Sequence, residues 1–335
     1  MKKYIWIIAL AALALSCKNT GPADTKEPDG PADVVESPWE KVDAALPDGI
    51  AVYRNSGDLC EKKAVAYYAE ADLSKVNFDI WSINDPNCRG TNDALKTPSK
   101  VYEETSAAVI INGGYFFVDG GKRYNASLAV KDGVLLGTNL NYASQDWVYI
   151  YYPTRGAFII HSDGSVEVCW TYYTSSGAHY MYSNPAQNGW TLGPKKAPDA
   201  NYPEEARIFE ARTAIGGGPV LLKDGEIRNT WKYELFYGEG SDNKMPEESH
   251  PRTAVGLKED GKVVFFVAEG RNMTEGVAGF TTGEVAQILL DLGCTDALNL
   301  DGGGSSCMLL NGQETIKVSD GSQRAVASTL MFMAK

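Results

Sequence analysis

The residue types best suited to chemistry lie in one short segment, Asn299–Ser306, with the sequence Asn-Leu-Asp-Gly-Gly-Gly-Ser-Ser. Asp301 follows an apolar run, and the three glycines Gly302–Gly304 come directly after it. Three adjacent glycines cost conformational entropy and pack no side chain, so they are expected where the backbone turns sharply or approaches a ligand. Backbone N–H groups in such a turn bind phosphate oxygens, and Ser305 and Ser306 add two hydroxyl groups. The segment predicts an acid beside an anion site; the alternative is a glycine-rich turn capped by Asp301.

A second carboxylate has a matching position, because Glu269 follows the apolar run Val263–Ala268. Hydrolysis of a glycosidic bond commonly uses two carboxyl groups, one protonated to release the leaving oxygen and one ionised as base or nucleophile. We therefore predict Asp301 and Glu269 as the catalytic pair. Which of them is the acid stays open, since their pKa values depend on neighbours that the sequence does not give. The alternative is a local ion pair between Glu269 and Arg271.

Arginines beside glycine and threonine supply the cations that a phosphate requires. The guanidinium of Arg252 can bind two phosphate oxygens through its planar fork, and Arg271 and Arg324 are further candidates. Asn112 and Tyr115 offer an amide and an aromatic wall for a sugar ring, or else a tight turn with the tyrosine in the core. The predicted substrate- and phosphate-binding residues are Arg252, Thr253, Arg271, Gly302, Gly303, Gly304, Ser305, Ser306, Asn112, Gly113, Tyr115, His250 and Arg324.

Other classes of site lack their signatures. No Gly-Lys-Ser/Thr follows the glycines, as a phosphate-binding P-loop requires, and Cys307 stands where a Gly-x-Ser-x-Gly motif needs its last glycine. The chain has three histidines and no Cys-x-x-Cys motif, so a serine triad is a minor hypothesis and structural zinc is not expected. No cofactor is required, and a divalent metal beside the carboxylates stays open. The net charge of −12 argues against nucleic acid or an anionic membrane surface as partner.

The elements that must position these residues are mostly short strands, since apolar runs alternate with Asp-Gly turns such as Asp224-Gly225. One helix is predicted after Thr281, because Thr281 and Glu284 form a capping box before an apolar helical face. A second helix is predicted over 97–105. The sequence thus predicts a single α+β domain over 39–335, rich in mixed β-sheet with few helices. Its region of about 172–207, rich in Asn, Pro, Gly and Ser, is predicted as a long surface loop.

The amino terminus predicts export. Two lysines precede the apolar run Ile5–Leu15, which is too short to span a bilayer, and this pattern is typical of a secretory signal. The run ends at Ser16-Cys17, which resembles a lipobox, so residues 1–17 are predicted as a lipoprotein signal with Cys17 lipidated. The alternative is an ordinary signal peptide. Residues 18–38 are poor in apolar side chains and are predicted as a disordered tether. We therefore expect a cell-envelope protein, periplasmic or surface-exposed, that contacts the membrane only through its lipid anchor.

The remaining cysteines are odd in number. Cys60 and Cys88 lie in polar, loop-like sequence, and an oxidising envelope would allow one disulfide between them. Cys294 and Cys307 flank an apolar strand and are predicted as buried small side chains.

Several of these motifs together resemble a known family. They are Ile111–Phe116, Gly216–Leu221, Pro251–Gly256, Glu269–Arg271 and Asn299–Ser306. In this order they are similar to the phosphodiester glycosidase domain family, that of the mannose 6-phosphate uncovering enzyme and its bacterial relatives. The similarity runs from about Val109 to the C-terminus and is strongest over 251–306.

The resemblance implies a hydrolase that cleaves the glycosidic bond of a sugar-1-phosphodiester, with an N-acetylglucosamine-like sugar on an envelope or host phosphoglycan. Two departures matter: the family usually has Asp where this chain has Glu269, and often Asn-x-Pro where Ser319–Gln323 precedes Arg324. Two other functions stay open. One is a phosphodiesterase that cleaves the P–O bond, and the other is a non-catalytic surface lipoprotein that binds glycans.

Overall fold

The structure is a computed structural model, and it describes residues 37–144, 148–190, 196–236 and 245–335. The predicted signal 1–17 with its lipidation site Cys17, and the tether up to residue 36, lie outside the described residues and stay predictions. The first described strand begins at Trp39. Within the described residues, no helix has the length and apolar character needed to cross a membrane.

The described residues form 22 strands and two α-helices. The helices are α1, Pro98–Thr105, and α2, Thr282–Asp291. In chain order the strands are β1 Trp39–Lys41, β2 Ile50–Asn55, β3 Ala66–Ala71, β4 Val76–Ser82, β5 Val109–Asn112, β6 Phe116–Asp119, β7 Lys122–Asn125, β8 Ala129–Lys131, β9 Val134–Gly137, β10 Arg155–Ile160, β11 Val166–Tyr173, β12 His179–Tyr182, β13 Arg207–Ile208, β14 Thr213–Gly216, β15 Val220–Lys223, β16 Glu226–Ile227, β17 Arg252–Lys258, β18 Val263–Ala268, β19 Cys294–Asn299, β20 Met308–Leu310, β21 Gln313–Glu314 and β22 Ser328–Ala334.

Three sheets and one hairpin contain these strands. The strand orders are β1-β2-β3-β18-β17-β19-β15-β16 in an eight-stranded sheet, β13-β12-β11-β10-β14-β8-β9 in a seven-stranded sheet, and β21-β20-β5-β22-β4 in a five-stranded sheet; β6 and β7 form the hairpin. The named strands pair antiparallel. With β-sheet dominant and few helices, the predicted α+β class is confirmed.

One aromatic cluster joins the three sheets. Phe265 of the eight-stranded sheet stacks on Phe332 of the five-stranded sheet, with ring centroids 3.7 Å apart. Phe78 packs edge-on against both rings and stacks at 5.9 Å on Phe158 of the seven-stranded sheet. All four rings belong to the main buried core. Because aromatic side chains bury large apolar areas, this cluster fixes the sheets around one core.

Helix α2 covers the other face of the eight-stranded sheet. Its capping box is confirmed: the Thr281 hydroxyl accepts from the Glu284 N–H at 3.1 Å, and the Glu284 carboxylate accepts from the Thr281 N–H at 2.8 Å. Val285 and Leu289 are buried against the sheet, and Gly293, at φ +85°, ends the helix. Helix α1 confirms the helix predicted over 97–105.

The region 172–207 is not a surface loop throughout, so that prediction is wrong in part. It contains strand β12, which pairs with β11, and Tyr182 opposite Trp170 is fully buried. Ala186 and Asn188 beyond the strand are also buried. The turn-forming composition of the region concealed the apolar residues that pair with the sheet.

The disulfide that the sequence allowed between Cys60 and Cys88 is not formed, since the five cysteines of the described residues are free. The Cys60 thiol lies 3.8 Å from the Glu284 carbonyl at the start of α2. Cys88 belongs to a different turn, where its N–H donates to the Asp85 carbonyl. Cys294 and Cys307 are buried, as predicted.

A buried carboxylate that the sequence did not indicate connects two sheets. Glu234 accepts hydrogen bonds from the N–H groups of Gly156 and Val220, each at 2.8 Å, from Trp170 Nε1 at 3.1 Å and from the Thr230 hydroxyl at 2.5 Å. Burial raises the pKa of Glu234, and the four donors oppose that rise. The carboxylate therefore satisfies N–H groups of the seven- and eight-stranded sheets at one point.

Replacing this carboxylate tests its structural role. Glu234→Gln puts an amide N–H group where one carboxylate oxygen accepted a hydrogen bond. We expect the free energy of unfolding, measured by urea denaturation, to fall by about 1–3 kcal/mol. Glu226→Gln, at an exposed position, is the control and should change it by less than about 0.5 kcal/mol. Equal stability of the two variants would contradict the role of Glu234.

Candidate active site

A pocket of about 140 Å³ opens where β17 begins and β19 ends, beside the start of α2. Nine of the residues predicted for catalysis or binding line it. They are Tyr115, His250, Arg252, Arg271, Asp301, Gly302, Gly303, Gly304 and Arg324. Asn299 and Thr282, together with Pro219, Phe236, Met245 and Pro246, complete the wall.

Strand alternation directs Asp301 into the pocket. Leu298 and Leu300 enter the main core, and adjacent residues of a strand face opposite sides. Asn299 and Asp301 therefore face the pocket. The Asp301 N–H donates to the Gly113 carbonyl at 3.1 Å, which holds the backbone at this point.

The Asp301 carboxyl group has an unusual pKa. Burial raises that pKa to about 6. A hydrogen bond from the Ser305 hydroxyl, the positive charge of Arg324 and the Gly302 N–H act in the opposite direction. The group is therefore mostly ionised at pH 7, yet it can take up a proton within about one pH unit.

The glycine turn does not present its first two N–H groups to a ligand, contrary to the prediction. The Gly302 N–H bonds to the Asp301 carboxylate, and the Gly303 N–H donates to the Pro251 carbonyl at 2.9 Å. These donors stabilise the turn itself. The backbone nest predicted for phosphate is not available at these two residues.

The glycines instead allow two arginines to approach. Gly303 has a φ of +60°, and a Cβ there would lie 2.7 Å from Nη2 of Arg271. A Cβ on Gly304 would overlap Arg324 Nη2 and both carboxylate oxygens of Asp320. Side chains at these positions are excluded because the guanidinium groups occupy the space.

Asp320 holds the two arginines together. Its Oδ2 accepts from Arg324 Nε at 2.9 Å and Nη2 at 2.6 Å, and its Oδ1 lies 3.9 Å from Arg271 Nη1. Two guanidinium groups share one carboxylate, so the cluster carries a net positive charge beside Asp301. Such a cluster suits a phosphate. Sequence analysis missed Asp320, because Asp320-Gly321 has the form of an ordinary turn.

Arg252 is committed to the protein backbone. Its Nε donates to the Phe280 carbonyl at 2.8 Å, and its Nη2 donates to the carbonyls of Met245 at 2.5 Å and Glu248 at 2.8 Å. The side chain lines the pocket but is 6% exposed. The sequence predicted that Arg252 binds phosphate. In the structure its guanidinium instead holds the segment 245–248 at the rim of the pocket.

Two buried atoms in the pocket wall have no hydrogen-bond partner among the described residues: His250 Nδ1 and Asn299 Oδ1. The amide nitrogen of Asn299 donates to the Tyr115 hydroxyl at 3.1 Å and to the Gly218 carbonyl at 3.0 Å. Burial lowers the pKa of His250, opposed by its contact with Glu248. A buried polar atom without a hydrogen bond destabilises the folded protein, and buried polar groups are therefore nearly always paired. Both atoms are thus available to bind polar groups of a ligand.

Tyr115 forms an aromatic wall, with its ring centroid 5.1 Å from that of Phe236. Its hydroxyl donates to the Gly218 carbonyl at 2.8 Å. The ring therefore borders the pocket and does not enter the core, which was the alternative left open by the sequence.

Asn112, Gly113 and Thr253 lie behind the pocket and do not line it, contrary to prediction. Asn112 Oδ1 accepts from the Thr253 hydroxyl at 2.7 Å and from the Cys307 N–H at 3.2 Å, and its Nδ2 donates to the Asp301 carbonyl at 2.7 Å. A Cβ on Gly113 would overlap Ser328. These residues position Asp301 from behind.

The two serines also lie behind the wall. Ser305 bonds to the Asp301 carboxylate, and its Oγ accepts from Arg324 Nη1 at 3.3 Å. Ser306 Oγ is buried without a partner in the part of the chain that is described. Ser305 thus connects the acid to the arginine cluster.

Glu269 does not line the pocket, so the predicted catalytic pair is not brought together there. Arg252 pairs with Ala268 across β17 and β18, and the next residue faces the opposite side of the sheet. Glu269 is 3% exposed, and its Oε1 accepts from the Lys317 N–H at 2.8 Å. The alternative ion pair with Arg271 is not formed either; Arg271 contacts Ser319 and Asp320.

No group of three or more His, Cys, Asp or Glu side chains suited to a metal ion occurs among the residues described. The carboxylates of the pocket region, Asp301 and Asp320, are each engaged by an arginine or a hydroxyl group.

Comparison with known proteins gives a family-level match. Residues 105–333 match the family model described as phosphodiester glycosidase. The chain is 40% identical over 124 residues to the SPbeta prophage-derived uncharacterized protein YomE of Bacillus subtilis, covering 36% of this chain and 17% of that protein. It is 38% identical over 73 residues to human N-acetylglucosamine-1-phosphodiester alpha-N-acetylglucosaminidase, covering 22% of this chain and 14% of that protein. The matches span less than a fifth of these relatives.

Solved structures share the fold. The catalytic domain of zebrafish N-acetylglucosamine-1-phosphodiester alpha-N-acetylglucosaminidase, auto-inhibited by its pro-peptide, superposes with a TM-score of 0.56 at 21% identity, covering 90% of this chain and 85% of that one. A hypothetical protein from Synechocystis gives 0.57 at 16% identity, covering 89% and 64%. At these identities the likeness concerns the fold.

The arginine cluster can be tested as an anion site. In Gly304→Ala the new Cβ displaces Arg324 or Asp320, so the affinity for inorganic phosphate, measured by calorimetry, should fall about tenfold. Gly57→Ala is the control, because a Cβ there meets nothing within 4 Å. Unchanged phosphate affinity in Gly304→Ala would contradict the assignment of the cluster to an anion.

Proposed function

Since this chain belongs to the phosphodiester glycosidase family, we propose that it hydrolyses the glycosidic bond of a sugar-1-phosphodiester, with the pocket around Asp301 as the active site. One observation carries the proposal. An acid with a pKa of about 6 and a pair of arginines face the same small pocket across a turn that tolerates no side chain. Such a site can hold a phosphate and act on the carbon attached to it.

The arginines would stabilise the leaving group. Cleavage of the bond between the sugar C1 and its oxygen releases a phosphomonoester, whose second pKa is about 6. This group leaves as an anion, so charge stabilisation serves it better than a proton. Arg271 and Arg324, held by Asp320, supply that charge on the side of the glycine turn.

Asp301 would then act at the sugar carbon, as the base that activates water or as the nucleophile. Both roles need the ionised carboxylate, which predominates at pH 7 with a pKa of about 6. Glu269 is a positioning residue in this proposal. Its bond to the Lys317 N–H supports the segment that leads to Asp320.

The sugar would occupy the opposite wall. Asn299 Oδ1 and His250 Nδ1 are unpaired among the described groups, so they can accept hydrogen bonds from hydroxyl or amide N–H groups of a sugar. Tyr115 and Phe236 give an apolar surface for the ring. The names of the human and zebrafish proteins suggest an N-acetylglucosamine-like sugar. With the predicted export signal and Cys17 anchor, the substrate would be a phosphoglycan of the cell envelope or of a host.

The products test the proposal directly. Residues 37–335, which form one compact unit, are incubated with an α-N-acetylglucosamine-1-phosphodiester. Free N-acetylglucosamine is expected. In Asp301→Asn, kcat should fall at least about 100-fold with an unchanged circular dichroism spectrum. Glu269→Gln keeps an oxygen that can accept from the Lys317 N–H, so this variant should retain most of its kcat.

The outcomes separate the alternatives. N-acetylglucosamine phosphate as product would assign the protein to phosphodiesterases that cleave the P–O bond. No product from a panel of sugar phosphodiesters would favour the glycan-binding function. A loss of kcat in Glu269→Gln as large as in Asp301→Asn would restore the predicted pair and contradict the role of Asp301 alone.

The pH profile tests the protonation state of Asp301. Because the ionised form acts, kcat/KM should rise with pH and level off above about 6, where the carboxyl group has lost its proton. Arg324→Gln removes a charge that lowers this pKa, so the rising limb should move to higher pH. A limb that falls through the same range would instead make Asp301 a general acid.

A further inference from the structure

A second and larger cavity lies beside the active-site pocket. This cleft has a volume of about 630 Å³, against about 140 Å³ for the pocket. It is bounded by the β6–β7 hairpin and by the segments 87–89, 138–142 and 173–177. The pocket has room for the reacting groups, and the cleft has room for several more units of a chain.

An aromatic ring forms the platform of the cleft. Phe117 is 40% exposed, lines the cleft and stacks on Tyr124 with centroids 4.5 Å apart and an interplanar angle of 4°. Tyr124 also packs against Gly90, where a Cβ would lie 2.6 Å from its Cζ. The exposed ring is therefore supported from beneath, and its orientation is fixed before any ligand binds.

The remainder of the cleft is polar but carries no net charge. Asn87, Asn141 and Thr174 contribute amide and hydroxyl groups, and Arg89 and Asp119 contribute one charge of each sign. A flat aromatic face surrounded by amides and hydroxyls matches uncharged sugars, which have an apolar ring face and hydroxyl edges. The cleft has no excess of positive or negative side chains that would attract a strongly charged peptide or a phosphate.

Arg155 contacts one lining residue of the cleft and one of the pocket. The Arg155 guanidinium lies 4.5 Å from the centroid of Phe236, which lines the pocket, and its Nε donates to the Leu140 carbonyl, which lines the cleft, at 3.1 Å. Tyr115 of the pocket is only two residues from Phe117 of the cleft. The two cavities are therefore neighbours in the fold.

We propose that this cleft binds neutral sugar units of a glycan whose phosphodiester lies in the pocket, with Phe117 stacking on one sugar ring. The position of the scissile bond rests on the proposed function, whereas binding of the glycan in the cleft does not. The substrate is then a phosphoglycan chain, and a single sugar phosphodiester fills only part of the site.

Binding is measured first, by calorimetry, with tetrasaccharides of glucose, mannose and N-acetylglucosamine as probes. At least one should bind the wild-type protein more tightly than its disaccharide. Phe117→Ala should weaken that binding about five- to tenfold, and Phe117→Trp, which keeps a flat ring, should restore it. Val118→Ala is the matched control, because Val118 is 55% exposed on the opposite side of the same hairpin.

Kinetics then separate this proposal from the proposed function. For substrates with an oligosaccharide chain, Phe117→Ala should raise KM about five- to tenfold without changing kcat, and for the shortest diester it should change neither. No binding of any tetrasaccharide, or equal losses in Phe117→Ala and Val118→Ala, would overturn the proposal. Glycan binding without turnover would instead overturn the proposed function alone.

Discussion

The side chain of Asn112 is the constraint on which the site depends. It is fully buried at the end of β5, in the five-stranded sheet, and it bonds to Thr253 of the eight-stranded sheet and to the backbone of Asp301 and Cys307. One amide thus fixes three chain segments relative to one another. An unmade hydrogen bond here would leave buried polar groups unsatisfied, at a cost of about 1–3 kcal/mol each. This arrangement sets the direction in which the chain leaves β19. It thereby determines the position of Asp301.

Electrostatics at the site are local. The chain as a whole carries a charge of −12, yet Arg271 and Arg324 converge on one carboxylate over the glycine turn. Asp320 removes part of their mutual repulsion and sets their orientation. An acidic protein can therefore hold an anion, because at contact distance a nearby guanidinium outweighs distant surface charges that solvent and salt screen. Gly303 and Gly304 contribute because the absence of a side chain leaves room for the guanidinium groups of the two arginines.

Patterns local in the chain were predicted well from the sequence. The capping box of α2, the strand-rich α+β class and the segment around Asp301 each follow from a few neighbouring residues. Contacts between distant residues could not be predicted. Glu234 and Asp320 look like ordinary surface residues until the fold brings their partners to them. The sequence also could not predict on which face of a sheet a side chain lies. Glu269 was correctly placed at the end of a strand, but its side chain lies on the face away from the pocket.

The pocket has two kinds of wall, and this has a consequence for how the protein can diverge. On one side, Asp301 directly follows the end of β19, and Gly303 and Gly304 admit no larger residue because Arg271, Arg324 and Asp320 occupy the space. On the other side, Phe236 and Pro219 lie outside the strands. Loop segments tolerate substitution better than positions where neighbouring groups leave no room for a side chain. Natural variation can therefore reshape the sugar side and alter selectivity while the reacting groups stay in place, so the chemistry is inherited and the choice of substrate evolves.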